Sequence, residues 1–267
     1  MFFVYKIGIS RMKFLSGFMG DAIRRLCVAA PGKDRLLAVV ADESPSEFVF
    51  NAPASADPEQ WEKSQEYELS FWKEQWPYRH LSVAELQQAR HKDAMWFLGK
   101  MGFLKGGSDY RYEGFDGTVL EVGCGPIGFF EMVGDVSVTA QDSLMRLYAE
   151  NLPFSMIGKR GSVTYIKEDL ADVGELFDFV VCSNVLDHTA DWIQFLMFCS
   201  KRVKKDGELL LVTDSRGIPA IGHTQIFSHS QLVRVLELLG AKEFRVDAVE
   251  REDGVHCDYR HYLRAVF

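Results

Sequence analysis

"VLEVGCGPIGFF", residues 119–130, joins a short apolar run to an acid, Glu121, and then to glycines at 123, 125 and 128. Glycines at G-x-G-x-x-G spacing after a strand allow a tight turn and bring backbone N–H groups close to a nucleotide, while an acid ending the next strand accepts from ribose hydroxyls. Asp142, with Ser143 beside it, stands at the end of "VSVTAQ" and supplies that acid. These features alone also fit a dinucleotide oxidoreductase. Glu121 separates the candidates. A carboxylate at the carboxyl end of a strand, two residues before the first glycine, opposes an anionic pyrophosphate and suits a cationic donor.

Outward from this loop, "TVLEV", "VSVTAQ", "VTYI", "FDFVVCS" and "GELLLVTD" read as apolar strands. They are separated by the helix-like "IGFFEMV", "SLMRLYAENL" and "DWIQFLMFCSKRV". Near-continuous apolar strands alternating with helices predict a parallel sheet covered on both faces. "SHSQLVRVLELLGA" is a helix with Ser228 as its cap, followed by "EFRVDAVE" and "YRHYLRAVF" joined by "REDGVHCD". A short Asp-Gly connection favours antiparallel pairing of these last strands at the sheet edge.

The ordered set of motifs resembles class I S-adenosylmethionine (SAM) dependent methyltransferases over about residues 114–267. "VLEVGCGPIG" is similar to the family's first motif and "VTAQDS" to its second-strand end, with Asp142 in the place of the ribose-binding acid. "IKEDLADV" resembles the loop after strand three, which places Asp169 at the adenine amino group and Leu170 beside the ring. "FDFVVCSNVLDHTADW" resembles the fourth strand and its loop, with Asn184 near the methionine end. Ile127 stands where the tightest family pattern has a third glycine, with Gly128 one place later; Asp187-His188 stands where Glu-His is frequent. The resemblance implies a Rossmann-like, doubly wound α/β fold with a seven-stranded, mainly parallel sheet, an antiparallel last strand and an N-terminal helical extension. It implies SAM as cofactor, with Glu121, Gly123, Gly125, Gly128, Asp142, Ser143, Asp169, Leu170 and Asn184 holding it.

Transfer from a sulfonium is chiefly a matter of alignment, plus a base when the acceptor is a hydroxyl. The loops after the fourth and fifth strands offer His188 in "NVLDHTAD" and His223 in "DSRGIPAIGHTQIFSHS" as candidate bases or substrate ligands. His229 reads as an early helix residue, Cys124 as a small filler, and no convincing catalytic metal set stands out. Simple alternatives exist for single residues: a helix cap for Asp169, turn chemistry for Asn184, structural hydrogen bonding for the histidines.

The 267 residues, 47% hydrophobic and 25% charged, suit a soluble globular chain. A net charge of -8 disfavours nucleic-acid partners. Five dispersed cysteines without a CxxC pair fit a reduced, cytoplasmic setting. No apolar run reaches membrane-spanning length, and Lys6, Arg11 and Lys13 interrupt any signal-type core at the start. Residues 1–50 read as a mixed segment of unassigned role and 51–113 as a linker and helical cap. Within the cap, Trp61, Leu69, Trp72 and Trp76 form an aromatic stripe ended by Pro77, and Ser82 with Glu85 announces a second helix. The stripe reads as packing against the next domain, or more sharply as a lid over a substrate. The cap helix is also similar to one found ahead of class I methyltransferases of glycan and sugar pathways. The expected acceptor is therefore a small hydroxylated molecule, a sugar or glycan among the options. An NAD-dependent oxidoreductase and a non-catalytic adenosyl-binding module are the alternatives.

Overall fold

The computed structural model describes residues 57–105, 111–112, 114–130, 133, 136–166, 170, 173–215, 220–250 and 259–267. The expected mixed segment at 1–50, Asp169 and the "REDGVHCD" connection lie outside the described residues. Two helices come first, α1 (Pro58–Ser70) and α2 (Val83–Lys100), then a small antiparallel pair, β1 (Leu104–Lys105) with β2 (Arg111–Tyr112). The large sheet is built from β3 (Gly117–Val122), β4 (Val136–Gln141), β5 (Val163–Ile166), β6 (Phe177–Ser183), β7 (Val203–Ser215), β8 (Glu243–Glu250) and β9 (Tyr259–Val266). Helices α3 (Met145–Asn151), α4 (Trp192–Ser200) and α5 (His229–Leu238) connect them.

The sheet order is β5-β4-β3-β6-β7-β9-β8, and β9 alone runs against both of its neighbours. This is the expected seven-stranded, mainly parallel sheet with its antiparallel last strand. The order reverses between β3 and β6, which leaves a crevice at their carboxyl ends. Cross-strand charge helps hold β9 in place: Arg260 donates to both carboxylate oxygens of Asp214, at 2.6 and 2.8 Å.

Period-two alternation divides the core between the faces. Leu120, Val180, Cys182, Leu209 and Leu211 point to the face covered by α4 and α5, where Trp192, Leu196, Leu232 and Leu236 meet them. Val119, Phe179, Val181, Leu210 and Val212 point the other way, onto Ala94, Phe97 and Leu98 of α2. So α2 shares one core with the sheet. Its start is fixed as the sequence suggests: the Ser82 hydroxyl accepts from the Glu85 N–H, and the Glu85 carboxylate accepts from the Ser82 N–H at 2.8 Å.

The helix expected over "IGFFEMV" does not form among its described residues. Gly128 N–H closes one helical turn onto the Cys124 carbonyl, but Phe129 N–H then donates to the Glu121 carboxylate at 3.2 Å, and Val133 N–H bonds only three residues back. The buried carboxylate breaks the ladder at its second rung. Phe129 and Phe130 turn inward, and Phe97 of α2 packs edge-on against Phe130 at 5.5 Å.

Candidate active site

The glycine loop begins where β3 ends. Gly123, with φ of 69°, would carry a Cβ 2.3 Å from a methyl of Val185, and Gly125, with φ of 61°, would carry one 3.3 Å from the Trp72 ring. Only glycine satisfies both the left-handed backbone and these close approaches. Two carboxylates hold the loop. Asp142, at the end of β4, accepts from Gly125 N–H at 2.9 Å and Leu144 N–H at 2.8 Å. Burial pushes its pKa up to about 6 against the pull of those donors, and the Glu68 carboxylate adds to the rise.

Glu121 is placed differently from the sequence expectation. It is 3% exposed and lies against Gly128, turned into its own loop rather than out toward a ligand. The physical reason is donor supply: the inward turn leaves backbone N–H groups that need an acceptor in the interior. Burial raises the Glu121 pKa to about 7, opposed chiefly by Arg90, whose Nε donates to the Gly128 carbonyl at 3.2 Å. Cys124 is a filler, as read: burial and the neighbouring carboxylates push its thiol far above the usual range. Leu170 is buried in the core below β3 and β6. Ser143 is exposed and bonded to Gln65.

The other half of the site rises from the loops after β6 and β7. Asn184 adopts φ of 58° and starts the turn, with its N–H on the Val212 carbonyl at 2.7 Å. A short 3-10 turn, Leu186–His188, then buries Asp187 completely. The β7 loop is stitched above it: Thr224 Oγ1 donates to the Thr189 carbonyl at 2.8 Å, and Gln225 Nε2 donates to the Thr189 and Ala190 carbonyls at 2.8 and 2.9 Å. A two-way backbone bridge between Ala220 and His223 tightens the turn. The result is His223 Nδ1 at 2.6 Å from Asp187 Oδ2, with Thr213 Oγ1 donating to the other oxygen at 3.3 Å. His188 packs beside them, its ring centroid 4.3 Å from that of His223. Burial works against ionising Asp187, yet the charge of His188, then the bond and charge of His223, hold its pKa below the usual carboxylate value.

Helix α1 lies across both halves. Gln65 meets Ser143, Ser64 accepts from Gly222 N–H at 3.3 Å, and Glu68 Oε2 stands 3.8 Å from His188 Nδ1. A π-helical turn, Phe71–Gln75, bends the aromatic stripe so that Trp72 covers Gly125 while its indole N–H donates to Glu68 at 2.7 Å. Trp76 packs on Phe154. The stripe is thus core packing at one end and a cover over the glycine loop at the other.

Both candidate histidines and Asn184 come together, and the structure adds Asp187, Thr213, Glu68 and Trp72. Asp187 was visible in the sequence only as a family variant; Glu68 carries no local sequence signal, because its part follows from where α1 docks. The donor set fits SAM. The carboxylates of Asp142 and Asp187 give the site a sign that suits a cationic donor. No helix among the described residues is long and apolar enough to cross a membrane.

Residues 120–211 match the family described as "Methyltransferase domain". Among curated proteins, a ubiquinone biosynthesis O-methyltransferase of Mesorhizobium japonicum is 38% identical over 55 residues, which is 21% of this chain and 22% of that protein. One of Rhizobium leguminosarum bv. trifolii is 36% identical over 69 residues, 26% of this chain and 27% of that protein. The matches therefore span about a quarter of the length of these relatives. A solved magnesium protoporphyrin IX methyltransferase from Synechocystis PCC 6803 with bound SAM is 14% identical, covers 80% of this chain and 99% of its own, and gives a TM-score of 0.48. The match to the methyltransferase domain family thus takes in the glycine loop, Asp142, Asn184, Asp187 and His188.

Proposed function

We propose that the protein methylates a hydroxyl of a small acceptor, with His223 as the general base, Asp187 as its positioning carboxylate and His188 beside the acceptor. The observation that carries this is the 2.6 Å contact between Asp187 Oδ2 and His223 Nδ1. An ionised carboxylate only accepts, so Nδ1 must carry a proton, and in the neutral imidazole Nε2 is left with a lone pair. When bound, SAM supplies an activated methyl and leaves as a neutral thioether. His223 Nε2 takes the acceptor proton as the oxygen gains the methyl. Thr213 and the burial of Asp187 fix the pair, while α1 and Trp72 exclude water from above.

Gly123, Gly125, Gly128, Asp142 and Asn184 are assigned to the cofactor, and Ser143 to the rim where α1 docks. Asp169 and Leu170 keep the adenine end that the resemblance implies. Glu121 is assigned to holding the loop. The short matches to ubiquinone O-methyltransferases support a hydroxyl acceptor, and phenols and quinols join sugars as the classes to test. Radiolabelled SAM incubated with sugars, phenols, quinols and peptides is expected to label a hydroxylated acceptor. Labelling confined to an amine would overturn the base assignment.

A further inference from the structure

We infer that Asp187, His188 and His223 form a site for one first-row divalent cation, such as Zn²⁺ or Mn²⁺, at the acceptor end. The inference rests on reading this end as the place where an acceptor oxygen arrives. One ligand atom from each residue lies within 4.8 Å of the others. Asp187 Oδ2 is 2.6 Å from His223 Nδ1 and 3.8 Å from His188 Nε2. Metal bonds of about 2.1 Å place neighbouring ligand atoms roughly 2.9–3.4 Å apart, between those two spacings. Small movements in opposite directions would therefore bring the three atoms onto one ion.

Hydrogen bonding explains one of these contacts and not the other. The shorter contact holds a proton. The longer one is beyond hydrogen-bond reach. Asn184 Nδ2 stands 3.3 Å from His188 Nε2, and an amide NH₂ only donates, so in the neutral imidazole the Nε2 lone pair accepts from it. A cation would take that lone pair in place of the amide donor, 3.8 Å from the buried Asp187 carboxylate. Two imidazoles and one carboxylate favour a first-row transition ion over Mg²⁺ or Ca²⁺, whose preference is for all-oxygen sets. Three protein ligands also leave coordination positions for an acceptor oxygen.

The test is calorimetric titration of Zn²⁺ and Mn²⁺, with Mg²⁺ as control, into the full chain stripped of metal and free of SAM and acceptor. The expected result is one equivalent of Zn²⁺ or Mn²⁺ bound, a higher Tm with the ion, and binding at least about tenfold weaker in His188→Ala and in His223→Ala. Asp187→Asn should lose the ion as well; if that buried variant fails to fold, the two partly exposed histidines still decide. Zn²⁺ and Mn²⁺ binding that is absent, or equally tight in both histidine variants, overturns the site. An ion on Nδ1 takes the place of the proton there and leaves Nε2 as the N–H, so ion binding and the base role exclude one another at His223; absent ion binding leaves the base assignment standing, and failed methyl transfer leaves the ion site standing.

Discussion

In the glycine-loop half of the site, the carboxylates serve nearby backbone: Glu121 accepts from an N–H 8 residues on, and Asp142 from one 17 residues back. In the histidine half, Asp187 binds side chains across 36 and 26 residues of chain, to His223 and Thr213. The first half is a backbone shape and the second a set of side-chain positions. A shape tolerates a change that keeps its N–H acceptors, whereas a side-chain constellation loses its chemistry with one member. The largest predicted effect follows. His223→Ala should lower kcat for methyl transfer by about 10²- to 10⁴-fold, the range for removing a general base, while SAM affinity by calorimetry stays within about twofold. A parallel collapse of SAM affinity would mean that the two halves are not separable in this way.

The halves meet at Gly123, and substitution there sharpens the comparison. Gly123→Ala puts a methyl against the branched Val185 side chain, at the start of the turn that carries Asp187, and strains a left-handed backbone. The expected cost is about 2–4 kcal/mol in denaturant unfolding. Adding Val185→Ala should recover the steric part but not the backbone part, so the double variant should be more stable than the sum of the singles predicts. Strict additivity would show that Val185 yields freely and that Gly123 does not couple the halves.

This division also explains what the sequence disclosed. Strand alternation placed Val119 and Leu120 on opposite faces, and the Ser82 and Ser228 caps marked two helix starts within a residue, because each depends on neighbours in the chain. The glycine loop was legible for the same reason. His188 and His223 could be named from loop length and residue type, but their pairing could not, since it depends on Thr224 and Gln225 tying one loop to another. The expected helix after the loop failed because periodicity does not register a buried acceptor such as Glu121 competing for the Phe129 N–H. The role of α1 was hidden until Gln65, Glu68 and Trp72 were placed over loops some 50–150 residues away in sequence.

Glu121 gives a middle-sized effect with a definite sign. Its pKa is raised from 4.5 to about 7 by burial, so the folded state holds the proton more tightly than the unfolded chain. Its contribution is fully present below pH 4.5 and is lost as pH rises through about 7. Glu121→Gln cannot ionise but keeps an acceptor oxygen, so the decline in stability across that interval should flatten, measured by urea unfolding at stepped pH. Affinity for SAM and for S-adenosylhomocysteine should weaken together, by about tenfold or less, if the side chain acts through the loop. A selective loss of SAM would return Glu121 to direct contact with the cationic donor.

Glu68 belongs to neither half and touches both. It takes the Trp72 N–H, stands by His188 and adds to the raised pKa of Asp142. Asp142 is protonated as pH falls through about 6, which removes acceptor capacity at the proposed ribose position, so SAM affinity should weaken on that side. Burial is the leading cause of the rise and Glu68 a lesser one, which bounds the consequence of Glu68→Gln. The midpoint of the affinity profile should move to lower pH, with SAM binding near pH 6 tighter by roughly threefold or less and unchanged near pH 8. A loss of binding at both pH values would instead mean that Glu68 matters through Trp72, by keeping α1 closed over Gly125, and that the helix across the site couples its halves mechanically rather than through charge.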